Sequence, residues 1–260
     1  MDIPWLVLLS FCSVLAIPLT INHVYHLNLG KEIAVSTLRM GIQLLLVGFY
    51  LQTLFTLNSV WINLLWIVVM IVVGASSVVG KANLPQKSVL MPATLGLGCG
   101  MLPVLSIVIV FVIHPSPLYN AQYVIPLAGM LLGNSISGNI VSLQNLFRDL
   151  EERRSEYEAA IALGASPQYA SQLFVRNALK KSFAPLLGSM ATMGLVTLPG
   201  MMTGQILGGA PPIIAVKYQF LIMIAIFSVL SLSLVITLKA VLRKTFNQQG
   251  RILIHFTQSE

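Results

Sequence analysis

The sequence has 260 residues, of which 56% are apolar and only 9% are charged, and its net charge is +7. Soluble globular domains carry about 25% charged residues, so this composition excludes an ordinary soluble enzyme or binding domain. The excess of Lys and Arg is typical of cytoplasmic loops between membrane spans, and we expect no nucleic-acid partner. We therefore predict an all-α, multi-pass protein in contact with lipid in the inner (plasma) membrane.

Seven apolar runs are long enough to cross the membrane, because a spanning helix needs about 20 residues. The predicted spans, in chain order, are residues 3–21, 36–55, 60–79, 89–113, 122–146, 184–207 and 213–241. No Lys or Arg precedes the first run, so we interpret it as a retained span and not as a signal peptide. The seven spans are expected to form one transmembrane domain over residues 1–260.

The basic residues predict the orientation of the chain. Fourteen of the 15 Lys and Arg residues fall after spans one, three and five or in the C-terminal tail, and only Lys217 falls elsewhere. Since cytoplasmic loops are enriched in Lys and Arg, we expect the N-terminus outside and the C-terminus in the cytoplasm.

Residues 147–183 form a polar insert between the fifth and sixth predicted spans. The insert contains five of the eight acidic and six of the 15 basic residues of the chain. Mixed apolar and charged residues over 145–163 predict one partly amphipathic helix. Two pairs of charged residues on it have the i,i+4 spacing: Glu152 with Glu156, and Arg154 with Glu158.

A tight turn is predicted after this helix. Gly164 is placed where a helix commonly ends in the left-handed conformation. Ser166 is expected to cap a second helix that has Pro167 at its first position. Residues 158–167 should therefore form a compact helix–turn–helix, which we call the elbow, on the cytoplasmic side.

The elbow resembles the EAA-x-x-x-G loop of ABC-transporter permeases, which docks into the ATPase subunit. Glu158-Ala159-Ala160 and Gly164 carry the match. The Ile-x-Leu-Pro that usually follows is absent, because Phe174, Arg176 and Asn177 occupy its positions. The residues that the resemblance assigns to ATPase coupling are Glu158, Ala159, Ala160, Gly164, Ser166 and Pro167.

Over nearly its full length the chain is similar to FetB-type permeases, a family of iron-export ABC subunits that includes plant aluminium-tolerance proteins. The similarity is carried by residues 124–130, 133–134, 163–167, 194–204 and 215–219. The resemblance implies a homodimeric permease that exports iron or another metal ion and is driven by a separate ABC ATPase subunit.

The chain carries no phosphate-binding loop of its own. Residues 74–82, GASSVVGKA, are one residue too long for the G-x-x-x-x-G-K-[ST] spacing, and Ala82 has no hydroxyl for magnesium. We therefore expect a transport subunit that is not an enzyme and holds no cofactor. ATP and magnesium would be bound by the partner ATPase.

Two kinds of small-residue pattern occur in the spans. Gly96, Gly98 and Gly100 predict close helix packing. In the fifth span a polar stripe has helical spacing: Asn134, Ser135, Gly138, Asn139 and Ser142. Buried amides need partners, so the stripe should face either a neighbouring helix or a wet pathway. No ionisable residue lies in the middle of a span, which disfavours an ion-coupled carrier.

The sixth span is expected to be kinked or interrupted, with a re-entrant or capping segment on its outer side. Pro199-Gly200 and Gly208-Gly209 disfavour continuous helix, and irregular backbone at membrane depth must be buried in protein or face a cavity. Four methionines lie nearby: Met190, Met193, Met201 and Met202. They are packing filler or soft metal ligands, and Met201 and Met202 are the metal candidates. The candidate pathway residues are Asn134, Ser135, Asn139, Pro199, Gly200, Met201 and Met202.

Three alternatives stay open at this stage. The chain could import rather than export, it could carry another substrate, or it could be a membrane scaffold that recruits a soluble partner without transport. An intramembrane enzyme is disfavoured because the spans contain no cluster of His, Asp and Glu and no G-x-S-x-G motif.

Overall fold

The structure is a computed structural model and describes residues 4–247. Ile3, where the first predicted span begins, and Arg251 of the predicted cytoplasmic tail lie outside the described residues. The described residues form eleven α-helices: α1 Trp5–Phe11, α2 Ala16–Val24, α3 Gly30–Leu57, α4 Val60–Lys81, α5 Gln86–Ile107, α6 Ala121–Glu152, α7 Arg154–Ala162, α8 Pro167–Ala170, α9 Gln172–Thr192, α10 Gly200–Leu207 and α11 Pro212–Thr245. A 3₁₀ segment, Cys12–Leu15, joins α1 to α2, and a π-helical segment, Val108–Ile113, extends α5.

The chain divides into two compact units, at Leu57 and Asn58. In the first unit, α2 and α3 are joined by a turn in which the Leu29 backbone N–H donates to Asn22 Oδ1 at 2.7 Å. Only Leu54 of α3 is buried. The second unit contains the large apolar core, and every candidate site residue belongs to it.

Six helical segments among the described residues are long and apolar enough to cross a membrane: Leu6–Val24, Gly30–Leu57, Val60–Lys81, Gln86–Ile113, Ala121–Glu152 and Pro212–Thr245. The predicted count of seven is therefore not confirmed. Predicted span 184–207 is divided between α9 and α10. The interruption of this span is confirmed, because α9 ends at Thr192 and α10 begins only at Gly200.

The turn between α9 and α10 has a defined geometry. Met193 and Thr197 form an isolated β-bridge, and Gly194 between them has φ +85°. An L-residue with a side chain rarely adopts this conformation, so glycine relieves backbone strain here.

Helix α9 packs against α6 and connects the elbow side of the second unit to the turn that precedes α10. Helices α6 and α11 lie parallel. Asn139 of α6 contacts Ser233 of α11, and Tyr157, which follows α6, contacts Phe246, which follows α11. The C-terminal ends of the two helices are therefore on the same side. The chain must therefore return between them, and α9, about 31 Å long at 1.5 Å per residue, makes this return. The first half of α9 carries Arg176, Lys180 and Lys181, so α9 is not apolar enough to be one of the six candidate membrane-spanning segments.

Glycines bring α5 and α11 into close contact, as predicted for Gly96 and Gly100. A Cβ on Gly100 would lie 2.7 Å from the backbone nitrogen of Ser233. A Cβ on Gly96 would overlap Thr237. Gly98 differs, since its Cβ would meet only Ile71 at an ordinary 3.8 Å.

The predicted single helix over 145–163 is wrong in one respect: it breaks at Arg153, which separates α6 from α7. The break changes the direction of α7 and lets Tyr157 bury its ring against the C-terminal end of α11. The predicted Arg154–Glu158 pair forms, with Nε and Oε1 2.7 Å apart. Glu156 pairs with Arg153 instead of Glu152, because two carboxylates repel.

Candidate functional site

The turn of the elbow has the geometry that the sequence predicts. Gly164 has φ +89°, and the Ala165 N–H donates to the Ala160 carbonyl at 3.0 Å, which closes the end of α7. Ser166 Oγ accepts from the Tyr169 N–H at 3.3 Å, and Pro167 begins α8. Local hydrogen bonds thus hold the two arms of the elbow at a fixed angle.

Helix α7, which leads into the elbow, is attached to the membrane helices by an aromatic stack. Tyr157 on α7 is only 1% exposed. Its ring lies 5.1 Å from the ring of Phe246, just beyond the end of α11, at an interplanar angle of 13°. The stack therefore places α7 against the residue that follows the end of α11.

Two further contacts attach the start of the elbow to α9. The Arg153 guanidinium lies over the ring of Phe174, 5.4 Å from its centroid, in a cation–π arrangement. Lys181 Nζ and the largely buried Asp149 Oδ1 are 3.3 Å apart, which joins the end of α6 to α9. The elbow therefore contacts α9 and α11 and is continuous with α6.

The charges at the base of the elbow are fixed near neutral pH. The hydrogen bonds that Arg153 donates, one of them from Nε to Glu156 Oε1 at 2.8 Å, lower the pKa of Glu156. The same pair raises the pKa of Arg153, and burial raises the pKa of Tyr157. Around neutral pH Glu156 therefore stays ionised and Tyr157 stays neutral.

The outer surface of the elbow presents two exposed apolar side chains that the sequence reasoning missed. Leu163 is 89% exposed and Tyr169 is 72% exposed. Glu158, Ala159 and Gly164 are exposed beside them, whereas Ala160 and Pro167 are half-buried. The signal was present in the sequence, because Leu163 directly precedes the turn glycine of the matched motif.

A cavity of about 790 Å³ separates the second arm of the elbow from α11. Its walls are mixed, with the polar residues Ser166 and Gln168 on one side and Lys239 and Arg243 of α11 on the other. An open space therefore lies between this arm and the C-terminal part of α11.

The polar stripe of α6 faces α11 over most of its length. Asn139 Nδ2 donates to Ser233 Oγ at 2.9 Å and to the Ser135 carbonyl at 2.8 Å. A Cβ on Gly138 would overlap Leu230 of α11. Ser135, Asn139 and Ser142 are each at most 1% exposed. In this conformation the structure places Ser135 and Asn139 in a helix–helix contact.

Asn134 lies outside this contact and lines a cavity of about 280 Å³. The cavity lies between α6, α9, the turn that follows α9, α10 and α11, and its lining residues are Met130, Asn134, Leu186, Ser189, Met193, Thr197, Pro199, Met201, Gln219, Ile222, Met223 and Ile226. Three predicted pathway residues therefore meet here: Asn134, Pro199 and Met201. Gly200 and Met202, which are next to them in sequence, do not line it.

Gln219 is the buried polar residue of this cavity and was missed by the sequence reasoning. It is 6% exposed, and its Oε1 receives no hydrogen bond. Its Nε2 lies 3.9 Å from Met193 Sδ. Met130 and Met223, also missed, belong to helices far apart in sequence, so no local pattern indicates that they meet.

Comparison with known proteins gives the family. The model of the uncharacterised protein family UPF0014 matches residues 5–246. The chain belongs to the UPF0014 family. The resemblance to FetB-type permeases and to plant aluminium-tolerance proteins is thereby confirmed.

Curated relatives of this UPF0014 chain come from bacteria and plants. A UPF0014 membrane protein of Synechocystis is 34% identical over 88% of this chain and 88% of its own length. The ALUMINUM SENSITIVE 3 protein of Arabidopsis thaliana is 33% identical, over 81% of this chain and 76% of its own. The "Probable iron export permease protein FetB" of Escherichia coli is 28% identical, over 92% and 90%. No solved structure matches the chain.

The family and the structure agree on the coarse character of the chain. Its relatives are named as membrane proteins, and six of its helical segments could cross a membrane. It is a multi-pass membrane protein. The names also differ in what they indicate, since one refers to iron export and another to aluminium.

Proposed function

We propose that this UPF0014 chain is the permease subunit of an ABC transporter that exports iron or another metal ion from the cytoplasm. A separate subunit would bind magnesium and ATP and supply the energy of hydrolysis. The geometry of the elbow carries the proposal, because a rigid turn with an exposed outer surface is attached to three long helices.

The exposed side chains of the elbow suit a protein contact. An apolar side chain that enters a pocket commonly contributes much of the binding energy at an interface. Leu163, 89% exposed at the tip, and Tyr169, 72% exposed on the second arm, are the two candidates. Glu158 is exposed on the adjacent turn of α7 and pairs with Arg154, which leaves a charged rim around the apolar tip.

The distribution of basic residues supports a cytoplasmic elbow. Gln144 of α6 donates to the Lys81 carbonyl at 2.8 Å, so α4 and α6 end on the same side of the unit. Eleven of the twelve Lys and Arg residues between 58 and 247 lie toward this side, and Lys217 is the exception. Because cytoplasmic segments are enriched in Lys and Arg, this side is proposed to face the ATPase and the cytoplasm.

The contacts around the elbow would carry a movement of the ATPase subunit to the cavity proposed as the translocation pathway. Binding of ATP would shift the partner between two states, and the elbow would move with it. The Tyr157–Phe246 stack passes this motion to α11, and Arg153 and Asp149 pass it to α9. Both helices reach the 280 Å³ cavity, so a movement at one end can reshape the cavity at the other.

Iron is named in the proposal because FetB, whose alignment covers 92% of this chain, is named for iron export, and the proposal extends to other metal ions. Two copies of the chain are proposed for the complex, as the resemblance to FetB-type permeases implies. Each copy would then present one elbow to one ATPase subunit.

The proposed docking is tested by one substitution and a matched control. Leu163→Asp places a charge at the exposed tip, and the side chain has no packing within the chain to lose. Leu118→Asp is the control, because Leu118 is 48% exposed in the loop that precedes α6, at the opposite end of that helix. Each variant is co-expressed with a candidate ABC ATPase subunit from the same genome that binds the wild-type chain, and the ATPase that co-purifies is measured.

We expect Leu163→Asp to lose the ATPase and Leu118→Asp to retain it. Full retention by Leu163→Asp contradicts the docking surface. ATP-dependent metal flux is then measured in vesicles that contain the wild-type complex. ATPase binding without flux supports a scaffold and contradicts transport.

A further inference from the structure

We infer that the 280 Å³ cavity binds a soft, singly charged metal cation of the Cu(I) type. The inference names a substrate class for the transporter proposed above and rests on that proposal for its role in export. It is carried by the side chains that converge on the cavity from separate segments of the chain.

The sulfur content of the cavity is unusual. Four of the eleven methionines of the chain line it: Met130 of α6, Met193 of the turn, Met201 of α10 and Met223 of α11. Thioether sulfur is a soft, uncharged ligand that favours Cu(I) over the harder divalent cations. Four segments therefore deliver the same type of ligand to one small space.

Gln219 supplies a second, independent indication of a ligand. Buried polar atoms normally have a hydrogen-bond partner, yet Oε1 of this 6% exposed amide has none. Its Nε2 is directed at Met193 Sδ, 3.9 Å away, so the amide lies against one of the methionines. A half-turn of the amide about its Cγ–Cδ bond would place Oε1 where Nε2 now lies, and a cation among the methionines would then provide the missing partner for the oxygen.

The charge of the cavity selects against divalent ions. Among the described residues that line it, none is charged at neutral pH, and none is His or Cys. Across residues 4–247, no three side chains of His, Cys, Asp or Glu come together in a way that could hold a metal ion. Because the cost of moving an ion out of water rises with the square of its charge, an uncharged ligand set suits a monovalent ion.

The position of the cavity links it to the elbow. Met193 directly follows the C-terminus of α9, and the elbow lies at the N-terminus of the same helix. The non-helical turn between α9 and α10, closed by the Met193–Thr197 bridge, forms part of the wall. Movement of α9 would displace Met193 and so change the ligand set, which gives a route for release.

The test measures binding of Ag(I), a redox-stable substitute for Cu(I), to the full-length purified chain in chloride-free buffer. Cys12 and Cys99 are exposed free thiols that also bind Ag(I), so both are first replaced by serine. Bound silver is determined by equilibrium dialysis and elemental analysis. The same measurement is made with Fe(II) under anaerobic conditions.

Two pairs of substitutions remove the proposed ligands with little change in volume: Met193→Leu with Met201→Leu, and Met130→Leu with Met223→Leu. The control pair is Met40→Leu with Met91→Leu, since these methionines are 55% and 61% exposed. We expect each ligand pair to weaken Ag(I) binding at least tenfold, or to remove one equivalent, and the control to have no effect. A single symmetric peak in size-exclusion chromatography verifies that each variant is folded. If the Met193/Met201 variant does not fold, the Met130/Met223 variant provides the test.

Unchanged Ag(I) binding in a folded ligand pair overturns the inference. Fe(II) bound in place of Ag(I), and lost in the same variants, overturns it as well. The ligand pairs should still retain the ATPase, whereas Leu163→Asp should lose it and still bind Ag(I). Failure of the metal site and failure of the docking proposal are thus observed in different measurements.

Discussion

Replacing Tyr157 with alanine measures how firmly the elbow is attached to the membrane helices. Tyr157 is 1% exposed, so the substitution removes a fully buried ring. Loss of a buried aromatic side chain costs about 3–5 kcal/mol, and the stack with Phe246, 5.1 Å away, is included in this figure. A central value of about 4 kcal/mol corresponds to an increase of about a thousandfold in the local opening of α7.

Backbone amide hydrogen exchange reports this opening directly, because exchange occurs only when the hydrogen bonds of α7 are broken. We expect the protection of Arg154–Ala162 to fall by about a thousandfold in Tyr157→Ala. Tyr157→Phe keeps the ring and should keep protection within about tenfold. Tyr169→Ala is the exposed control, since Tyr169 is 72% exposed and surface substitutions change stability by about 0.5 kcal/mol or less.

Protection in Tyr157→Ala within tenfold of the wild type would refute the reasoning. The same loss in Tyr169→Ala would also refute it, because the effect would then not depend on burial. If the attachment is as described, Tyr157→Ala should also reduce the stimulation of the ATPase by the permease.

The other expected outcomes concern the packed helices. Gly100→Ala should lower the free energy of unfolding by about 1–3 kcal/mol, because its Cβ would lie 2.7 Å from Ser233 N. Thermal unfolding in detergent measures the change. Gly98→Ala is the control, because its Cβ would make an ordinary contact with Ile71 at 3.8 Å. Asn139→Leu should destabilise the chain by about 0.6–2 kcal/mol, through loss of its hydrogen bonds to Ser233 and Ser135, and should leave vesicle flux per folded molecule unchanged. Asn134→Leu should do the opposite, lowering flux with little loss of stability, since Asn134 lines the cavity. A flux defect confined to Asn139→Leu would assign the pathway to the α6–α11 contact instead.

The elbow was predictable because it depends on residues close together in sequence, and the family was predictable because the resemblance extends over nearly the whole chain. The left-handed Gly164, the cap by Ser166 and the first-turn Pro167 involve hydrogen bonds over three to five residues. The break before Gly200 was predictable for the same reason, since a Pro-Gly pair disfavours helix wherever it occurs. The break at Arg153 was not predicted, because no Gly or Pro marks it in the sequence.

The features of the candidate site also separate into those set by local sequence and those set by tertiary packing. The sequence alone determined that the chain is a multi-pass membrane protein with a polar insert, since composition and local periodicity are sufficient for that. Only the tertiary structure decided that Asn139 faces α11 while Asn134 faces a cavity, although both belong to one polar stripe. It also decided which methionines share a cavity. Met130 and Met223 line the same cavity because α6 and α11 pack in parallel, and no pattern within either helix specifies the face that its neighbour covers.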